Sequence, residues 1–230
     1  MLFRSRTFRG RGVDVALVPD GPRGARMSAL AVSALLTQQA GVEVVLQYSC
    51  RDRNLLGMQS DLLGAHAMGI RNLMLVTGDV RPVGDYPDAT AVFDIDSVGL
   101  VNVVRRLNEG LDIGGQPIGA PTGFHIGVQV NPSTDDIDSE LRRFEFKREA
   151  GAEFVVTRPV FDVAAFERFA RRFAAAGVPM LVALWPFDSL AHAEFMANEV
   201  PGARVPSSVL KRMAEGEERG AAAAVGLEVA

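Results

Sequence analysis

The sequence predicts an α/β fold of the TIM (β/α)8 type, incomplete, with about six strand–helix units. Three observations predict it. Apolar, β-rich runs alternate with segments of helical periodicity from Val13 onward. The alternation recurs at roughly thirty-residue spacing, the rhythm of parallel strands joined by crossover helices. No G-x-G-x-x-G follows the first strand, which argues against an open dinucleotide-binding sheet.

Val13 to Pro19 reads as the first strand, closed by the turn Asp20-Gly21-Pro22-Arg23. Met27, Leu30, Ala31, Ala34 and Leu35 then recur at helical spacing, and Gly41 stops the helix. Val42 to Tyr48 is the second strand and runs into Ser49-Cys50-Arg51-Asp52-Arg53-Asn54. A helix follows from about Leu55 to His66, closed by Gly69. Leu73 to Val76 is the third strand, and it opens through Thr77-Gly78-Asp79 into a long loop reaching Asp94. Leu100, Val103, Val104, Leu107 and Leu111 mark the next helical face.

Gly123 to Val130 is strand-like and leads into Asn131-Pro132. Asp136 or Asp138 caps a helix that turns Ile137, Leu141 and Phe144 inward, with Lys147 near its end and Gly151 as its stop. Phe154 to Val160 is the fifth strand, and Phe166, Phe169, Ala170 and Phe173 face the core from its helix. Val178 to Leu184 is the last clear strand, ending at Trp185-Pro186, and Leu190 to Val200 is helical. The tail from Ala214 is rich in Ala, Glu and Gly and carries no strand. The expected organisation is a basic, disordered leader over residues 1–12, a barrel over 13–213 and a tail over 214–230.

A chain of 230 residues can bury a full core. Its net charge of −4 gives no electrostatic reason to expect nucleic acid, and no apolar run is long enough for a bilayer. Cys50 is the single cysteine, which excludes a disulfide framework and suits a reducing cytoplasm. His66, His125 and His192 lie far apart with no ligand spacing, so no metal is expected. Arg4, Arg6, Arg9 and Arg11 form a leader without the apolar centre of a secretory signal.

Chemistry in such barrels sits at the C-terminal strand ends. Asp79, delivered there by an apolar strand, is the first catalytic candidate; the plain alternative is a carboxylate that only caps a turn.

Long blocks of the chain resemble the methylenetetrahydrofolate reductase family. They look closest to the reductase half of the bacterial bifunctional homocysteine S-methyltransferase/methylenetetrahydrofolate reductase. The matching stretches are Val18-Pro19-Asp20-Gly21-Pro22-Arg23, Cys50-Arg51-Asp52-Arg53-Asn54 and Gln59-Ser60-Asp61-Leu62-Leu63-Gly64. Thr77-Gly78-Asp79, Asp85-Tyr86-Pro87-Asp88-Ala89-Thr90, Lys147 to Phe154 and Pro159-Val160-Phe161-Asp162 match as well. The resemblance implies a TIM-barrel flavoenzyme. FAD takes hydride from NADH or NADPH and reduces 5,10-methylenetetrahydrofolate to 5-methyltetrahydrofolate.

The resemblance also implies roles. Asp79 matches the family aspartate near the flavin and the folate, where a negative charge stabilises the cationic iminium form of the substrate. Thr77 and Gly78 match flavin-lining positions, Ser97 and Asn131 further FAD contacts, and Lys147 a lysine reaching the FAD phosphates. Gln47 stands where the family has a histidine ending a strand. Arg158 stands where it has a glutamine contacting folate and nicotinamide. Relatives begin with a further strand bearing a proton-donating glutamate and continue into an eighth strand, so the chain reads as a six-unit piece. Its open edges must distort to close, pair with a second chain or a second copy, or leave the fold marginal. The rival expectation is a catalytically silent remnant that binds flavin or a partner.

Each assignment has a plainer counterpart. Lys147 reads as an exposed cation near a helix C-terminus, and Cys50 as a small buried filler. Arg51, Asp52 and Arg53 read as a structural ion-pair cluster, His66 and His125 as satisfied helix and strand residues, and Trp185 as core rather than a stacking platform.

Overall fold

The computed structural model describes residues 12–21, 24–78, 85–86 and 88–230. Its strands are β1 (Val15–Val18), β2 (Glu43–Ser49), β3 (Asn72–Val76), β4 (His125–Val130), β5 (Phe154–Thr157) and β6 (Met180–Leu181). They are hydrogen-bonded in chain order. The register is parallel, with Val18 opposite Leu46, Ser49 opposite Val76, Leu75 opposite Val128 and Val156 opposite Leu181. Between and after them run α1 (Ala29–Leu35), α2 (Leu55–Ala67), α3 (Ser97–Asn108), α4 (Ile137–Ala150), α5 (Val163–Phe173) and α6 (Leu190–Glu199). The chain closes with α7 (Ser207–Glu218) and α8 (Ala222–Val229). Six strands, each followed by a helix, make this an incomplete TIM-type barrel.

The chain forms two compact units. The first comprises Met1–Val128 with Phe146–Glu153. β2, β3 and β4 are buried on both faces, as parallel strands under helices must be, with Leu46, Leu73, Leu75 and Val128 closed to solvent, whereas β1 keeps Val15 and Leu17 exposed. From α2, Met58, Leu62 and Ala65 cover that sheet at i, i+4 and i+7; from α3, Leu100, Val103, Val104 and Leu107 do the same. Asn54 Oδ1 accepts from the Gly57 amide at 2.8 Å and Asp96 Oδ1 from Gly99 at 2.9 Å, fixing where both helices start. The first helix relaxes into a wider turn over Leu36–Ala40, which Gly41 ends in the left-handed conformation.

The second unit comprises Gln129–Glu145 with Phe154–Ala230. All four residues of β5 are buried, and Phe144, Phe169 and Phe173 pack ring against ring. A second cluster joins Phe161, Phe187, Ala193, Met196, Met213 and Val225.

Two expectations need correction. α3 ends at Asn108, so Leu111 leaves the helical face and bridges Pro117 instead. Of Val178 to Leu184 only Met180–Leu181 pairs as strand; Pro179 has no amide to donate, and the apolar residues after it stay exposed. Of the two expected caps, Asp136 holds α4 by accepting from Ser139, and Asp138 pairs with Arg172. In the last part of the chain, Met213 on α7 and Val225 on α8 are core. The expected leader lies outside the described residues apart from Gly12.

The close approach of α8 to the loop before α6 yields a test. A Cβ on Gly226 would run into the carbonyl of Phe187. Helix propensity alone favours Gly226→Ala by about 1 kcal/mol. The packing predicts the opposite, a clear fall in melting temperature, while Leu227→Ala at an exposed neighbour stays within about 0.5 kcal/mol of the parent. A Gly226→Ala protein that melts higher would refute the packing of the tail.

Candidate functional site

The carboxyl ends of β1 and β2 are locked by one guanidinium. Arg53 Nη1 donates to Asp20 Oδ2 at 2.8 Å and to the Ser49 carbonyl at 3.2 Å, and its Nε reaches Asp61 Oδ2 at 3.2 Å. The Tyr48 hydroxyl donates to the same Asp61 oxygen at 2.9 Å, and the guanidinium lies 4.6 Å from the Tyr48 ring centre. Burial works against the Arg53 charge, and the Asp20 carboxylate outweighs it, so the proton is held more tightly than usual. Burial likewise pushes the Tyr48 hydroxyl far up, keeping it a neutral donor. Asp20, Gly21, Ser49, Arg51, Asp52 and Arg53 line a cleft of about 180 Å³ here. Asp52 sits at φ 69°, a strained setting for a residue other than glycine; its amide donates to the Val92 carbonyl at 3.1 Å.

The end of β3 closes onto this cluster. A Cβ on Gly78 (φ 92°) would strike Ser49 Oγ and lie 2.8 Å from Arg51 Cβ, so only glycine fits. Thr77 Oγ1 accepts from the Ser97 amide at 3.0 Å, coupling the strand end to the start of α3. From there a groove of about 560 Å³ opens along α3 and the last turns of α4. Asp96, Gly99, Asn102, Phe146 and Glu149 line it. Lys147, next to Phe146, is only 8% exposed.

In the second unit, Asn131 and Arg158 meet on one turn. Arg158 Nη1 donates to the Pro201 carbonyl, and Asn131 Nδ2 to that of Gly202 at 3.3 Å. A side chain on Gly202 (φ 76°) would hit both.

The expected site residues therefore divide. Gln47, half-buried on β2, Thr77, Gly78, Ser97 and Lys147 belong to the first unit, and Asn131 and Arg158 to the second. Asp79 lies outside the described residues. Lys147 is not the exposed cation of its plainer reading, and Trp185, 45% exposed, is not core. The ion-pair reading of Arg51, Asp52 and Arg53 matches the pairs found, and Cys50 is a buried filler. The pairing of Arg53 with Asp20 and Asp61 across the chain was not legible, because partners 33 and 8 residues away leave no local pattern. Phe146, an apolar residue on the polar side of α4, was the one available signal for the groove. Among the described residues no group of three or more His, Cys, Asp or Glu could hold a metal, and no helix is long and apolar enough to cross a membrane.

Polar groups gathered at the strand ends of a TIM-type barrel define the class: a barrel with polar residues where such barrels carry chemistry. The methylenetetrahydrofolate reductase family profile matches residues 3–230, through both expected domain boundaries, and the chain belongs to that family. It is 25% identical over 161 residues to the probable methylenetetrahydrofolate reductase (NADPH) of Caenorhabditis elegans, covering 69% of this chain and 23% of that one. It is 24% identical over 174 residues to the 5,10-methylenetetrahydrofolate reductase of Salmonella typhimurium, covering 75% of this chain and 53% of that one. The chain thus spans about a quarter and about half of these two relatives. Among solved structures it is similar in fold to 2,3-dimethylmalate lyase, a PEP mutase/isocitrate lyase superfamily member (TM-score 0.54, 11% identity, 95% of this chain and 79% of that one). A phosphoenolpyruvate phosphomutase from Streptomyces platensis subsp. rosaceus is alike (TM-score 0.53, 16% identity, 96% and 81%).

Cys50 supplies a test of how tightly the strand ends close. Burial first, and then the Asp96 carboxylate, push its thiol up to about 12. At pH 8 the folded protein should leave a thiol-specific disulfide reagent unreacted, and unfolding in guanidinium should release one full equivalent. Rapid reaction of the native chain would show that the β2 end is open to solvent.

Proposed function

We propose that the chain reduces 5,10-methylenetetrahydrofolate to 5-methyltetrahydrofolate with a bound FAD and with NADH or NADPH as reductant. The observation that carries this is the family match over residues 3–230. The residues present fit a flavin dinucleotide. Thr77 follows β3 directly and its Oγ1 accepts from the Ser97 amide, so two of the resembling positions meet at the carboxyl end of one strand, where such barrels bind ligands. Thr77, Gly78 and Gln47 would hold the ring system, Ser97 and Asn131 the remainder, and Lys147 the phosphates, each on the strength of the family resemblance. When bound, the flavin supplies a carrier for hydride between nicotinamide and folate.

The chain's own part is electrostatic. Opening the methylene bridge breaks the bond to the N10 nitrogen, which takes a proton from solvent to form an N–H, and leaves an iminium cation. The Asp79 carboxylate stabilises that cation, which hydride then neutralises. Arg158 replaces the family glutamine as the residue facing substrate, and a cation there disfavours a second positive charge close by. That substitution, with Gln47, favours a second reading, a catalytically silent chain that binds flavin or a partner without turnover. The folate substrate, a completing second chain or second copy, and a cytoplasmic setting all belong to the reductase reading.

Asp79→Asn keeps shape and loses charge. Folate reduction should fall about 10²–10³-fold with the melting temperature unchanged, because a preorganised charge is lost while a turn cap is kept. The assay follows folate reduction beside reduction of a dye by NADPH. Unchanged folate turnover would make Asp79 a turn residue, and a parent chain that binds flavin but reduces neither folate nor dye would select the silent reading.

A further inference from the structure

We propose that the outer face of α2 is a pairing surface for the α2 of a second copy of this chain, the two helices lying antiparallel across a twofold axis. Helix α2 is apolar on two opposite sides. Met58, Leu62 and Ala65 face the sheet and are closed to solvent. Leu56, Ser60, Leu63 and Ala67 face outward and are all exposed, Leu56 to 74%. Their steps of four, three and four residues are those of a helix–helix seam. A barrel helix that met only water would carry charge on that side, as α3 does with Arg105 and Arg106 and α5 with Arg171 and Arg172. The one carboxylate of α2, Asp61, is drawn away from the seam onto Arg53 and Tyr48. His66 is also engaged, its Nε2 accepting from the Gly123 amide at 3.0 Å. The exposure does not come from the open edges of the sheet. β2 and β3, which α2 connects, each pair with a strand on both sides. The helix is flanked as well: Gln38, in the wide turn that ends α1, donates to the Met68 carbonyl at 3.2 Å, and Gln59 Oε1 accepts from Ile113, in the loop after α3, at 2.9 Å.

The order of residues along the seam selects the occupant. A twofold axis midway along α2 pairs position 56 with 67 and position 60 with 63. Leu56 then meets the partner's Ala67, and Leu63 meets the partner's Ser60, so every contact joins one large and one small side chain. Parallel helices would instead set leucine on leucine and leave a gap at Ser60 and at Ala67. Gly64, where a Cβ would meet no atom within 4 Å, widens the hollow beside Ser60. The antiparallel arrangement also suits the ends of the helix. Asp52, exposed ahead of α2, and Arg71, exposed behind it, come to the same end, and the helix dipoles oppose each other. The seam from Leu56 to Ala67 is ~16 Å long. Such a contact is at the small end of specific interfaces, so the pair should form in the micromolar range. This face is separate from the strand ends, and the pairing holds for a chain that turns folate over and for one that does not.

Sedimentation velocity of the full chain across the micromolar range should show a reversible shift from the 24.7 kDa chain to twice that mass. Leu56→Glu, which puts a charge into the seam, should weaken association about 30-fold or more. Circular dichroism and a cooperative melt confirm that each variant is folded. The pairing itself is read from two further variants. Ser60→Leu sets leucine against leucine, and Leu63→Ser sets serine against serine, so each alone should be monomeric where the parent is dimeric. An equimolar mixture of the two should recover the dimer, because every contact is again one large and one small residue. A parent that stays monomeric throughout leaves the seam to some other chain and overturns the proposal. So does a dimer that survives Leu56→Glu, which places the contact elsewhere. A mixture that stays monomeric, or a Ser60→Leu chain that pairs as the parent does, rules out the antiparallel seam.

Discussion

The strand ends of the first unit are organised around the half-buried charge of Arg53. Its guanidinium joins Asp20 at the end of β1, Ser49 at the end of β2 and Asp61 on α2, and its backbone bridges Phe93 before α3. A charge partly withdrawn from water is held best where its neighbours satisfy it, and here carboxylates, a carbonyl and an aromatic face all take part. Once two strand ends and a helix share one cation, the loops leaving them have little freedom. That explains the strained φ of Asp52: the backbone must turn sharply for Arg51 and Arg53 to point to different partners. It also explains why position 78, just past β3, has to be a glycine, because Ser49 and Arg51 already fill the space a Cβ would need.

Much of the fold was legible because parallel strands under helices write themselves as apolar runs separated by helical periodicity. Leu73-Met74-Leu75-Val76 and the α3 face at Leu100, Val103, Val104 and Leu107 are examples whose burial follows directly. The failures share a cause. Val178 to Leu184 has the composition of a buried strand, yet composition records what a residue prefers and not whether a neighbour covers it; after Pro179 the pairing lasts two residues. In the tail, the small residues are what let α8 lie against the Phe187 backbone, a contact that composition does not show.

The candidate site was readable in its residue types and unreadable in its partners. Thr77 and Ser97 could be singled out separately, but the hydrogen bond that makes the strand end and the helix start one rigid corner spans twenty residues. The plainer reading of Lys147 was an exposed cation near a helix C-terminus, and its burial comes from packing that no helical pattern encodes. Arg158 looked like a plain substitution at a ligand position. The fold gives it a second duty, since Pro201 and Gly202 are pinned by it and by Asn131 at the ends of β5 and β4.

That second duty bears on what helix α6 can be. It starts beside β6 at Ser189, and the turn after it is fastened at the ends of β4 and β5, so both its ends belong to the carboxyl edge of the second unit's strands. A helix placed that way does not only cover the outer face of the sheet; it borders the strand ends themselves. Its first turn then presents His192 beside Trp185, while Ala193 and Met196 point into the core with Phe161 and Phe187. One helix so divided, apolar inward and aromatic-edged at its start, couples the packing of the second unit to the groups available at its strand ends. A change in the core under Met196 is therefore transmitted to His192 through one turn of helix, with no flexible segment between them to absorb it.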